Sequence, residues 1–264
     1  MPRRVWLAVA CAAATSACSR TEGAGASAHT DASTPPAVVT PALSVRQMPA
    51  LVPVRTPDGR PFTGAKERMG RDTYDLDCDG GVRSVTCDDF LASAGKACPP
   101  SSTLAAVPWT NANLDCRALE LIVHGAPSTI SHLRTLSMRA DLAGELPASL
   151  WRGPSAEANA RLEKAAAAGK SLRDEVPGIH QTVSTPDRAK YESKDAWLEV
   201  IAFAFGDFGS PPLFAGASAG ARDGVEDVIV EARSGPTHGS AFYAALWVLT
   251  RRSATGTLEI IGRY

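Results

Sequence analysis

The chain has 264 residues, and its 27 Lys and Arg against 28 Asp and Glu give a formal net charge of −1 at pH 7. No basic stripe runs through it, which argues against nucleic acid as a partner. No segment after the N-terminus is long and apolar enough to span a bilayer, since the best, Ala196 to Gly206, carries Glu199 and a spanning helix needs about 20 apolar residues.

The N-terminus has a distinct order. Arg3 and Arg4 supply positive charge, Val5 to Ala14 is apolar, and small residues lead to Thr15-Ser16-Ala17-Cys18. Charged, apolar, then small is the pattern of a secretory signal peptide, here over residues 1–17. Thr15-Ser16-Ala17 also suits ordinary cleavage, which would release a periplasmic or secreted protein. With Cys18 added, the same residues resemble the lipobox of bacterial lipoproteins, although Thr15 stands where Leu is usual. The resemblance implies a lipid on Cys18 and a place in the cell envelope. Ser19 resembles the sorting signal for the outer membrane. Residues 18–45 then form the anchor cysteine and a tether rich in Ser, Ala, Thr, Gly and Pro, with the composition of a flexible linker. Such a protein is held at the membrane by lipid alone and faces an envelope partner that the sequence does not identify.

Residues 46–264 suit one domain of moderate size. Pro49, Pro53, Pro57 and Pro61 keep its start extended or turning. Residues 72–120 carry Cys78, Cys87, Cys98 and Cys116, an even number that reads as two disulfides in an exported chain. Three connectivities are open, and sequential pairing, Cys78–Cys87 with Cys98–Cys116, is favoured. No Cys-x-x-Cys pair or neighbouring His supports zinc. Thr73–Leu76 and Val82–Thr86 read as short strands around Asp79-Gly80-Gly81. Asp88 is placed to cap a short helix ending near Gly95. Leu119, Leu121 and Val123 alternate within Cys116–His124, which predicts a strand. Asp75-Leu76-Asp77-Cys78-Asp79-Gly80 matches the first half of a calcium loop, so Asp75, Asp77 and Asp79 are weak calcium candidates. Arg83 and Thr86 depart from what an EF-hand needs in its second half.

Ala156 to Ala168 is the clearest helix, with Ser155 as N-cap, Glu157 in its first turn and Gly169 just beyond its end. Leu162 is its one large apolar residue, which places it at the surface. Over residues 196–264, Trp197–Phe205, Val225–Ala232, Ala241–Thr250 and Thr257–Ile261 read as strands. Ala241–Thr250 is apolar on both faces and is therefore buried from both sides or central. Val225–Ala232 alternates Asp227 and Glu231 with Val228 and Val230, which predicts one wetter face. The fold class is α+β: a mostly antiparallel C-terminal four-strand meander, helical cover, and a disulfide-bonded N-terminal part.

Two motifs remain. Gly216-Ala217-Ser218-Ala219-Gly220 matches the G-x-S-x-G elbow of α/β-hydrolases, with Asp227 and His238 following in triad order. That elbow needs a strand before the serine and a helix after it, whereas Pro211 and Pro212 precede it and Asp223-Gly224 follows. A small-residue loop accounts for the match more simply, so a non-catalytic binding module is favoured over a serine hydrolase using Ser218, His238 and Asp227. Gly206-Asp207-Phe208-Gly209 and Asp223-Gly224-Val225-Glu226-Asp227 then resemble the FG-GAP calcium-loop repeats of exported proteins. The resemblance implies a loop joining two strands, with Asp207, Asp223 and Asp227 at ligand positions. Gly209 replaces one aspartate, residues 210–222 interrupt the loop, and the motif occurs once, without the repetition a propeller requires. A strand–loop–strand unit is expected, and metal is not.

Overall fold

A computed structural model of the protein describes residues 50–93, 95–96, 98–153, 155–209, 222–238 and 243–264. The chain divides into two units, Met1–Gln47 and Met48–Tyr264, and every described residue belongs to the second. Cys18, its tether and Ser218 lie outside the described residues.

The N-terminal layer begins with helix α1, Ala65–Arg71, and a hairpin of β1, Thr73–Cys78, and β2, Gly81–Thr86. Gly80 and Gly81 turn it at φ 110° and 111°, where a side chain would be strained. Helix α2, Cys87–Ala92, is capped by Thr86, whose hydroxyl accepts from the Asp89 N–H at 3.2 Å, so the cap falls two residues before Asp88. Helix α3 spans Ala106–His124, and Pro108 sits in its first turn, where no N–H is needed. The strand expected over Cys116–His124 is therefore the second half of this helix. Its buried residues include Ala112, Leu114, Cys116, Leu119, Leu121 and Ile122. A helix apolar most of the way round contains alternating pairs by accident, and these imitate a strand.

The disulfides are Cys78–Cys98 and Cys87–Cys116, with Cα separations of 5.1 and 5.0 Å. Sequential pairing is overturned by the hairpin. Cys78 lies at its turn opposite Gly81, while Cys87 follows the far end of β2. Six strand residues part them by roughly 20 Å at about 3.3 Å each, and a bridge needs Cα atoms within about 7 Å. Non-reducing peptide mapping should recover the 78–98 and 87–116 links. Replacing Cys87 and Cys116 together by Ala should cost about 3 kcal/mol in urea titration. Free thiols at these four positions in oxidised protein would contradict the assignment.

The second half is one antiparallel meander of six strands in consecutive order: β3 His180–Ser184, β4 Arg188–Glu192, β5 Ala196–Gly206, β6 Asp227–Pro236, β7 Tyr243–Thr250 and β8 Glu259–Arg263. The four expected strands are β5 to β8, and β3 and β4 extend the sheet beyond them. β3 is almost wholly exposed, and β4 buries only Ala189 and Tyr191, too few apolar residues to announce a strand.

Both faces of the sheet are covered. Tyr191, Leu198, Val200, Val228, Val230, Trp247 and Leu249 belong to one core, while Ala204, Ile229, Leu246 and Val248 join α3, α2 and the disulfides in the other. The wetter face expected on β6 is thus not wet, and Asp227 and Glu231 are each 1% exposed. Glu231 instead pairs with Arg233 two residues along. The first core is closed by a largely irregular stretch contributing Leu133, Met138, Leu142, Leu146 and Leu150, the last in a 3₁₀ turn over Ala148–Leu150. Helices α4, Ala156–Ala167, and α5, Leu172–Glu175, follow. Ser155 caps α4 through the Ala158 N–H at 3.1 Å, and Leu162 is its buried anchor. Gly169, at φ 76°, leaves the helix in the left-handed region as expected.

Candidate functional site

The β5–β6 connection brings three of the expected ligands together. Gly206, ending β5, pairs with Asp227, which begins β6 opposite Thr250. Asp207 accepts from the N–H of Gly209 at 3.2 Å and of Gly224 at 2.9 Å. Asp227 accepts from the Phe208 N–H at 3.1 Å, and Asp223 from Val225 at 2.9 Å. Burial pushes the Asp227 carboxyl up to about 7, aided by the charges of Asp207 and Asp223, while the Thr250 hydroxyl and the Phe208 N–H pull the other way. Burial also acts on Asp223, but the Val225 N–H and Arg252 outweigh it and hold its carboxyl below the usual range.

These carboxylates knit a loop by satisfying backbone donors that a sheet mouth would otherwise leave unpaired. A cation would have to displace those donors. Among the described residues, no three His, Cys, Asp or Glu side chains form a metal-holding group. Asp75 and Asp77 project from β1 as exposed residues paired in register with Ser84 and Val82, and Asp79 lies in the turn. The sequence there forms a two-stranded hairpin. Thermal melts in chelator and in micromolar calcium should coincide, because stabilisation scales as RT ln(1 + [L]/Kd). A shift of several degrees abolished by Asp223→Ala would place a working site at the β5–β6 mouth.

Of the triad candidates, Ser218 lies outside the described residues, and Asp227 and His238 are not brought together. Asp227 begins β6, and the exposed His238 lies just beyond its other end, roughly 30 Å of strand away at about 3.3 Å per residue.

Beside the mouth, Glu226 is fully buried and takes a forked pair from Arg55, Nε at 2.8 Å and Nη2 at 3.1 Å. Ser131 also donates to it, and the guanidinium lies 4.2 Å from the Phe205 ring centre. This network fastens the 50–62 strap to the sheet.

No protein family, curated protein or solved structure matches the chain.

Across the sheet from α3, helix α4 leaves space that sequence reasoning missed. One cavity of about 500 Å³ lies between α4 and the strand ends, walled by Trp151, Leu162, Val176, Pro236 and Tyr243. A second, of about 410 Å³, shares Arg152 and Tyr243 with it and has Ala232, Ala245 and Trp247 as floor. A third, of about 640 Å³, shares Glu163, Trp247 and Arg263 with the second. The cause is small residues on both packed surfaces. Ala156, Ala160, Ala166 and Ala167 face the gap, and Leu162 alone fills it from the helix. An Ala-rich helix with a single large apolar residue was the available signal.

Proposed function

We propose that the chain is a lipid-anchored binding module of the bacterial envelope, taking a small ligand in the groove beneath α4. The observation that carries the binding reading is the cavity of about 500 Å³ with apolar walls and a few charged groups at its rim, Arg152, Arg161 and Lys194 among them. Preformed apolar concavities with sparse polar groups are the usual form of small-molecule sites. Saturable change in Trp fluorescence on adding a small apolar probe tests it, since Trp151 and Trp247 both line the groove. Ala158→Leu, at a residue that lines this cavity, should abolish the response.

The anchor rests on Thr15–Cys18 and the composition of the tether. No helix among the described residues is long and apolar enough to cross a membrane. Radiolabelled palmitate should enter the protein in its native host, and Cys18→Ser should abolish the label. Mature protein that is unlabelled and fully released would end the lipoprotein reading while leaving export intact.

A further inference from the structure

Two guanidinium groups in the groove share one carboxylate. Arg152 donates to Glu163 Oε1 at 2.9 Å, and Arg263 approaches the same oxygen at 3.6 Å. Arg152 is largely buried, while Glu163 is half exposed. Of the other charges around the groove, Arg161 meets Glu175 at 2.6 Å, Glu259 meets Arg252 at 3.7 Å, Lys194 is offset by the adjacent Asp195, and the charge of Lys170 acts on Asp174. The positive excess therefore falls where Arg152 and Arg263 converge. Burial and the charge of Arg152 push the Arg263 guanidinium below its ordinary value, with Glu163 opposing.

Trp247 supplies a second, independent observation. It is 3% exposed, and its indole Nε1 has no hydrogen-bond partner among the described residues. A buried donor without a partner costs about 1–3 kcal/mol, a cost that an acceptor group on a ligand would offset. Trp247 floors both cavities beside Glu163, and Arg263 lies 4.8 Å over its ring. The apolar cavity opens on the other side of Arg152.

We infer that the groove beneath α4 binds a monoanionic organic carboxylate, its headgroup on Arg152 and Arg263 and its apolar body between α4 and Tyr243. The inference rests on the reading of this groove as the binding site and adds the ligand's chemical class. A single negative charge matches the two guanidiniums less Glu163. A carboxylate can take the forked bonds that a guanidinium offers. Glu163 then acts as an internal competitor, occupying the arginines until a ligand carboxylate replaces it.

The test uses the full chain and two probes with the same tail, decanoate and decanol, followed by calorimetry and Trp fluorescence. Decanoate should bind saturably and about tenfold more tightly than decanol, equivalent to about 1.4 kcal/mol, with the advantage shrinking at high salt. Arg263→Gln should weaken decanoate about tenfold and leave decanol unchanged. Glu163→Gln, at a half-exposed helix position that tolerates change, should strengthen decanoate several-fold. Equal affinity for both probes, or a Glu163→Gln variant that binds decanoate no better, overturns the carboxylate inference while the groove remains a binding site. Failure of both probes to bind overturns the inference and the binding reading together.

Discussion

Arg55→Ala is expected to destabilise the protein by about 3–5 kcal/mol, the range for removing one partner of a buried ion pair. Glu226 is fully buried, and the Arg55 side chain is 14% exposed. The arginine covers the Phe205 ring and reaches the Leu133 carbonyl at 3.4 Å, so one side chain joins the N-terminal strap, the irregular core segment and the sheet. Removing it leaves a carboxylate out of water with, among the described residues, the Ser131 hydroxyl as its remaining side-chain partner. Replacing both partners by apolar residues, as in Arg55→Met with Glu226→Leu, should cost much less, because two desolvated charges disappear together. Urea unfolding of the wild type, both single variants and the double variant gives the coupling directly. A single Arg55→Ala variant within about 1 kcal/mol of wild type would show that the pair carries little.

Where the sequence was legible, the reason was a local pattern uninterrupted by tertiary demands. Helix α4 announced its cap, its length and its glycine exit. Strands β5 to β8 announced themselves by apolar runs between turn residues. The illegible parts depended on partners distant in sequence. Leu133, Met138, Leu142 and Leu146 fill a core without regular periodicity, and the Leu142 N–H donates to the Tyr191 hydroxyl 49 residues away at 3.1 Å. The α3 layer hides Asp227 and Glu231, so polar alternation on β6 gave a false sign of exposure. Disulfide pairing depended on the hairpin's length in space, which a count of cysteines does not contain. Asp207, Asp223 and Asp227 were grouped by the FG-GAP resemblance, but their use as backbone acceptors became visible only in three dimensions. The α4 groove was hardest to see, since it arises where large side chains are missing from two surfaces at once.

Asp227→Asn should stabilise the protein, and the gain should depend on pH in a defined direction. The Asp227 carboxyl is 1% exposed and titrates near 7 when folded, against an ordinary value of 3.8. A folded value above the unfolded one means that the native state holds the proton more tightly. The stabilisation this gives is full below about pH 4 and is lost as pH rises to about 7. Above pH 7 the loss is complete, on the order of 4 kcal/mol for a shift of about three units. An asparagine carries no charge to desolvate, and its carbonyl can still accept from the Phe208 N–H. The variant and the wild type should therefore melt together near pH 4 and diverge to roughly 10 °C by pH 8, at about 2–4 °C per kcal/mol. Asp115 is also raised, by burial and then by the Glu231 charge, and acts in the same sense in both proteins. Only the difference between the two melting curves isolates Asp227. A constant gap across pH, or a variant less stable throughout, would show that the carboxyl is not held protonated. Calcium supplies a second arm, because a cation seated among Asp207, Asp223 and Asp227 would favour the ionised form and stabilise the wild type alone. Calcium at pH 8 should thus leave the gap between the curves unchanged if these carboxylates serve the backbone, and close it if they serve a metal.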